Sequence, residues 1–167
     1  YINGIMVGDA ANLFCSPCST NTTNDFPVCG PVGSTMELDF GNIDSYVGCF
    51  NSSNYLVWST IFGGGGDDYV GNGQSIAISP VNNEIVIVGY TSSGGSSTLP
   101  IPDVNIGNAV AGYTDNLIGG TGQESDGFLA MYNSSFQLNW STYYGGELSD
   151  RFTAVSVNDQ GKFYVAG

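Results

Sequence analysis

The sequence contains no histidine, and only two of its 167 residues are basic, Arg151 and Lys162. Without an imidazole, neither a Ser-His-Asp nor a Cys-His nucleophile can be built, and a common metal ligand is missing. Two cationic side chains also leave little charge to stabilise a phosphoryl group or an oxyanion. The sequence therefore predicts a protein that is not an enzyme.

The scarcity of positive charge also limits the partners. Fifteen Asp and Glu residues give a net charge of −13, so DNA and RNA would be repelled and an anionic membrane surface is disfavoured. No apolar run approaches the roughly 18 residues that a transmembrane helix needs, and we expect no membrane insertion. With 25 glycines and only 10% charged residues, the composition is typical of a β-rich extracellular protein.

Four cysteines lie in the first third of the chain, at Cys15, Cys18, Cys29 and Cys49. An even number in one cluster predicts disulfides formed in an oxidising compartment, with three pairings open. The alternative is a four-thiolate zinc site, because Cys15 and Cys18 have Cys-x-x-Cys spacing.

One stretch of the sequence occurs twice. Residues 43–64, IDSYVGCFNSSNYLVWSTIFGG, align with residues 125–146, SDGFLAMYNSSFQLNWSTYYGG, and ten of the 22 positions are identical. Trp58 aligns with Trp140, 82 residues further on, and Asp44 aligns with Asp126. The chain is a repeat protein.

Each copy of the repeat predicts four short strands. The first copy has strand patterns at 46–50, 55–62, 75–79 and 84–89, and the second has them at 128–132, 137–144, 154–158 and 162–167. Trp58, Thr60 and Phe62 share one face of the second strand by period-two alternation. Turns rich in Asn, Ser and Gly separate the strands.

Four consecutive antiparallel strands that recur, with one strand apolar on both faces, are typical of a β-propeller blade. The sequence thus predicts an all-β protein with about two blades and a leading strand. The predicted segments are a last strand of a preceding blade (1–8), a Cys-containing connection (9–42), a blade (43–90), a Gly/Ser/Pro-rich connection (91–124) and a second blade (125–167). Because closure takes about four to eight blades, we expect a part of a larger propeller, completed by the same longer chain or by neighbouring subunits.

Several strings resemble one family. WSTIFGGGGDD, WSTYYGGELSD, AVSVNDQGKFYVAG and GYTSS, together with Asn24-Asp25-Phe26-Pro27, are similar to the SBBP-type β-propeller repeats of bacterial secreted and cell-surface proteins. The resemblance implies an extracellular location, commonly within large surface proteins of Bacteroidota-like bacteria that leave by type IX secretion. It implies no chemistry, and the cysteine cluster and the long connections depart from the family pattern.

Recurrence separates scaffold residues from candidates for a unique site. Trp58 and Trp140 recur and predict packing between blades. The recurring acids are Asp44 with Asp126 and Asp68 with Asp150, and they predict turn-capping carboxylates. The functional alternative for the acids is calcium, the one candidate cofactor, because carboxylates beside flexible Gly-rich carbonyls supply hard oxygen ligands. The candidate calcium ligands are Asp67, Asp68, Glu124 and Asp126.

Ligand contacts are expected outside the recurring positions, on or beside the long connections, since loops on a rigid scaffold carry binding residues. The candidates are Phe26, Tyr69 and Tyr113. The predicted function is adhesion, ligand binding or assembly by a non-catalytic segment of a surface protein, with glycans or surface proteins as partners. The alternatives are a carbohydrate-active enzyme with paired carboxylates and a purely structural filament or spacer module. The carboxylates available to such an enzyme are Asp67, Asp103, Glu124 and Glu147.

Overall fold

The computed structural model describes residues 5–7, 19–20, 27–28, 30, 45–51, 53–63, 66–93 and 125–167. Within these residues the chain forms strands and no helix, which confirms the predicted all-β class. None of them belongs to a helix long and apolar enough to cross a membrane. The strands are β1 (Ile5–Val7), β2 (Ser19–Thr20), β3 (Pro27–Val28), β4 (Ser45–Phe50), β5 (Leu56–Phe62), β6 (Asp68–Val70), β7 (Ile76–Ile78), β8 (Ile85–Thr91), β9 (Asp126–Tyr132), β10 (Leu138–Tyr144), β11 (Ala154–Val157) and β12 (Phe163–Ala166).

The largest sheet has five antiparallel strands in the order β10-β9-β8-β6, with β7 also paired to β8. Strands β6 and β7 lie end to end along β8, because Val70 pairs with Gly89 and Ile76 pairs with Ile87. On the other side of β8, Ile85 pairs with Tyr132 of β9. We call this the central sheet.

Two smaller sheets come from the remaining halves of the repeat. Strands β4 and β5 form an antiparallel hairpin, and β1 lies parallel to β4 on its other side. Strands β11 and β12 form a second antiparallel hairpin. The short β2 and β3 pair with each other.

The hairpins agree with the predicted strands, but the sheets do not begin where the sequence repeat begins. In each copy the first and second strands pair, as do the third and fourth. Among the described residues the second strand of a copy does not pair with the third; instead β8 of the first copy pairs with β9 of the second. The central sheet therefore contains strands of both copies, and no closed ring of sheets is present among the described strands.

The apolar side chains of the central sheet alternate between two cores. Ile85 and Ile87 belong to a cluster shared with β4 and β5, whereas Val86 and Val88 belong to a second cluster that contains Val155 of β11. These residues are at most 3% exposed, because successive residues of a strand point to opposite faces. The three sheets are thus stacked, with the central sheet covered on both faces.

The turns of the β4-β5, β9-β10 and β11-β12 hairpins share one hydrogen-bonded form. The side-chain oxygen of Asn133 accepts hydrogen bonds from the backbone N–H groups of Ser135 and Gln137, at 2.9 and 3.0 Å. Asn51 and Asn158 do the same in their turns. The fourth turn residue has a left-handed backbone, and at Gly161 (φ 77°) glycine adopts it without strain. These turns fix the register of the hairpins.

Candidate functional site

The recurring tryptophan of the first copy lies in the interface between two sheets. Trp58 of β5 is 0% exposed. Its ring stacks on Phe136, with centroids 4.9 Å apart and an interplanar angle of 16°, and it meets Tyr132 edge-on at 5.1 Å. On the same face Phe62 contacts Phe128 at 5.1 Å. Aromatic pairs in such geometries add roughly 0.5–1.5 kcal/mol each beyond burial, so this face holds the β4-β5 hairpin on the central sheet.

The recurring tryptophan of the second copy has a different environment. Trp140 of β10 is only partly buried and lines an open pocket of about 540 Å³. The pocket lies between the central sheet and the β11-β12 hairpin, and its other lining residues are Val86, Leu129, Met131, Gly161, Lys162, Phe163 and Tyr164. Tyr144, the equivalent of Phe62, is 57% exposed and stacks on Phe152, with ring centroids 5.6 Å apart. The same face is therefore closed in one copy and open in the other.

Phe136 is a packing residue that the sequence did not predict. It occupies a turn position with φ 62°, a left-handed conformation that costs a bulky residue roughly 1–3 kcal/mol. Its side chain is 6% exposed against Trp58, and this burial offsets the strain. The equivalent residue is the exposed Asn54. The sequence signal that could have identified Phe136 is the replacement of an asparagine by a phenylalanine within a repeated turn.

The recurring Asp68 is the first residue of β6, at the edge of the central sheet, and it is buried. Its carboxylate is 0% exposed and accepts hydrogen bonds from the hydroxyl groups of Thr91 and Ser93, the latter at 2.7 Å. The carbonyl of Ser93 in turn accepts a hydrogen bond from the hydroxyl of Tyr143 at 2.9 Å. Asp68 of β6 thus binds the end of β8 directly and β10 indirectly, through Ser93. Hydrogen bonds to a charged group are worth about 1.5–3 kcal/mol.

Asp150, the equivalent of Asp68, is exposed and has a local role. Its carboxylate accepts a hydrogen bond from the backbone N–H of Gly146 at 2.7 Å. This contact closes the turn after β10. The two recurring acids therefore share a position in the repeat but not an environment.

Asp126 lies at the start of β9 and is 1% exposed. Gly145 lies so close that a Cβ atom at this position would collide with the Asp126 carboxylate. This close approach explains why the position of Gly145 is restricted to glycine. Asp44, the equivalent of Asp126, lies outside the described residues.

The predicted calcium ligands are only partly described. Both carboxylate oxygens of Asp68 already accept hydrogen bonds from hydroxyl groups. One side-chain oxygen of Asp67 is buried and has no hydrogen-bond partner within the described structure. Glu124 lies outside the described residues, and no group of three or more His, Cys, Asp or Glu side chains that could hold a metal is found among those described. Calcium remains a prediction for this loop.

Tyr69, the one described ligand-contact candidate, belongs to a small aromatic cluster. Its ring stacks on Tyr90, with centroids 4.9 Å apart, and the Arg151 guanidinium lies 6.0 Å from the centre of the Tyr90 ring. Partial burial, followed by the negative charge of Asp67, raises the pKa of Tyr69. Tyr90 is the residue of this cluster that the other two contact. Phe26 and Tyr113 lie outside the described residues.

The remaining candidates are not brought together by the described structure. Cys49 lies in β4 and is 3% exposed, whereas Cys15, Cys18 and Cys29 lie outside the described residues. Disulfide formation and the zinc alternative therefore remain predictions. Of the acids proposed for carbohydrate chemistry, Glu147 is exposed in the turn after β10, and Asp103 and Glu124 are not described.

Comparisons of the chain with protein-family models and with curated proteins found no match. The resemblance to SBBP-type repeats therefore depends on the strings quoted from the sequence.

Proposed function

We propose that the chain is a non-catalytic, blade-forming segment of an extracellular β-propeller, with a role in adhesion, ligand binding or assembly of a bacterial surface protein. The supporting observation is the central sheet, which is built from two copies of the repeat and covered on both faces by neighbouring sheets. Face-to-face packing of consecutive four-stranded sheets is the arrangement by which propeller blades associate.

The composition and the site support the non-catalytic part of the proposal. The chain has no histidine and a net charge of −13. The recurring residues that invited functional interpretations, Trp58 and Asp68, are engaged in packing and in hydrogen bonds within the sheets. We therefore expect a ligand to bind at positions where the two copies carry different residues. One such position is occupied by Tyr69 in the first copy and by Arg151 in the second.

The proposal is tested by presenting the chain with a panel of polysaccharides and cell-surface glycans, with binding and the release of new sugar ends measured in parallel. We expect no turnover of any polysaccharide. Binding that is weakened by Tyr69→Ala but unchanged by Tyr55→Ala, a matched exposed tyrosine, would place ligand recognition at the aromatic cluster. Reproducible hydrolysis would overturn the proposal in favour of a carbohydrate-active enzyme.

Location is tested separately by antibodies raised against the chain. We expect them to label intact cells of the source bacterium as strongly as lysed cells. Labelling that requires lysis would contradict an extracellular role.

A further inference from the structure

Equivalent residues of the two copies form the same apolar face, and the described residues cover only one of the two faces. In the first copy the face consists of Val47, Cys49, Trp58 and Phe62, and in the second of Leu129, Met131, Trp140 and Tyr144. The first set is at most 3% exposed. The second set is more exposed, with Tyr144 at 57% and Trp140 beside the open pocket.

The cover of the first face has two parts. Strands β7 and β8 supply Ile76, Ile85 and Ile87, and the β9-β10 hairpin with its turn supplies the aromatic residues Phe128, Tyr132 and Phe136. The aromatic part is the one that contacts Trp58 and Phe62. Both parts belong to one continuous sheet, because β8 pairs with β9.

The second face has the part of this cover that comes from the third and fourth strands of the copy. Among the described residues it lacks the aromatic part. Strands β11 and β12 are the equivalents of β7 and β8, and Val155, Val157 and Phe163 pack on the central sheet. No described strand pairs with the outer edge of β12, at the position that β9 takes on β8. Tyr164 and Val165 of β12 are 58% and 39% exposed, whereas the equivalent Val86 and Ile87 are each 1% exposed.

The geometry points to a docking site for a further hairpin of the same repeat, formed by the outer edge of β12 and the apolar face around Trp140. This inference depends on the proposed blade architecture and specifies its next interface. The incoming hairpin pairs its first strand with β12 and places aromatic residues equivalent to Tyr132 and Phe136 on Trp140. Backbone pairing along an open edge supplies affinity, and the aromatic pocket supplies specificity.

A second copy of the same folded chain does not fit this site as well. Strand β4 is already paired with β1 and β5, and β9 with β8 and β10. Neither hairpin can offer the required strand edge without first losing a strand. The occupant that fits is therefore a hairpin from another repeat, outside the residues that the structure describes.

The test is a chain extended after Gly167 by a second copy of residues 90–146, since Gly167 is equivalent to Gly89. A covalent extension is used because a lone hairpin is marginally stable, and the linkage raises its effective concentration. Trp58→Phe in the host, and phenylalanine in place of the added tryptophan, leave Trp140 as the one emitting tryptophan, since the chain has two. The matched control extension carries serine at the added equivalents of Phe128, Tyr132 and Phe136.

With the native extension, we expect the emission of Trp140 to shift to shorter wavelength and its quenching by acrylamide to fall. The control extension should leave both unchanged. Hydrogen exchange at Phe163 and Val165 provides a second readout, measured with Trp58 retained in case Trp58→Phe disturbs folding. The amides of these two residues point away from β11, because Lys162 and Ala166 bond towards it, and they should be protected only by the native extension.

Two outcomes would overturn the inference. One is identical Trp140 emission and β12 exchange with the native and the control extensions. The other is self-association of the unextended chain, seen by sedimentation, that shields Trp140, because the occupant would then be a second copy. Neither outcome depends on the glycan panel or on cell labelling, so failure of the docking site can be distinguished from failure of the proposed function.

Discussion

The two copies of the repeat are built from the same hairpins and differ in what lies against them. Trp58 and Trp140 are equivalent, but the first is fully buried between sheets and the second borders an open pocket. Strand β8 lies between two neighbours, whereas β12 has one neighbour among the described strands. The comparison shows that the aromatic residues of this face owe much of their burial to the next copy, in addition to the strands of their own copy.

The largest expected effect is a difference between the two tryptophans. Trp58→Ala should lower the free energy of unfolding by about 3–5 kcal/mol, the usual loss for a fully buried aromatic residue. Trp140→Ala should cost less than about 1.5 kcal/mol, because the indole is already partly in water. Urea unfolding of the two variants and the parent chain measures both values.

Equal losses for the two variants would contradict the open face at Trp140. In the chain extended by a native hairpin, the cost of Trp140→Ala should rise towards that of Trp58→Ala. The tryptophan comparison would thus detect the closing of the second face by energetics alone.

The two recurring aspartates should differ in the same direction. Asp68→Ala removes a buried carboxylate and leaves the hydroxyl groups of Thr91 and Ser93 without their acceptor, so we expect a loss of about 2–3 kcal/mol. Asp150→Ala removes one exposed turn contact to Gly146, and a loss of about 0.5–1 kcal/mol is expected. Thermal unfolding followed by circular dichroism measures the two changes.

Thr91→Val is a matched control for Asp68, because it keeps the shape of the side chain and removes one hydroxyl donor. It should cost less than Asp68→Ala. If Asp68→Ala were no more harmful than Asp150→Ala, the carboxylate of Asp68 would not be the link between β6 and β8.

Much of the fold could be predicted from the repeat. The positions of the four strands predicted in each copy, the Asn-containing turns and the pairing within each hairpin depend on local alternation and turn chemistry, which the sequence contains directly. Strand β6 was missed, because it lies in a stretch predicted as a turn. Local signals do not show which strand of the repeat begins each sheet, because a sheet can begin at any strand of a periodic sequence. The pairing of β8 with β9, which are separated by the 91–124 connection, could therefore not be predicted from the sequence.

The candidate site was predicted in part. Recurrence identified Trp58 and Asp68 as scaffold residues, and their contacts agree with such a role. Recurrence could not show that Trp140 and Asp150 lack the same surroundings, because burial comes from a neighbouring unit. It also could not find Phe136, whose role depends on a left-handed backbone that brings its ring onto Trp58.

The smallest of the expected differences between the copies concerns Tyr132, whose equivalent in the first copy is Phe50. The Tyr132 hydroxyl is buried and has no hydrogen-bond partner within the described structure. A buried unpaired hydroxyl costs roughly 1–3 kcal/mol. Tyr132→Phe, which makes the second copy resemble the first, should therefore raise the free energy of unfolding by about 1 kcal/mol in urea at neutral pH.

The same substitution has a second signature in alkaline solution. Burial raises the pKa of Tyr132 above its ordinary value of 10.0. Above that pH the unfolded chain releases the proton while the folded chain retains it, so stability falls by about 1.4 kcal/mol per pH unit. Tyr132→Phe should remove this part of the slope, and the advantage of the variant over the parent should grow as the pH rises from about 9 to 11. Parallel curves for parent and variant would show that the Tyr132 hydroxyl reaches water, and that the two copies are more alike at this position than their sheets suggest.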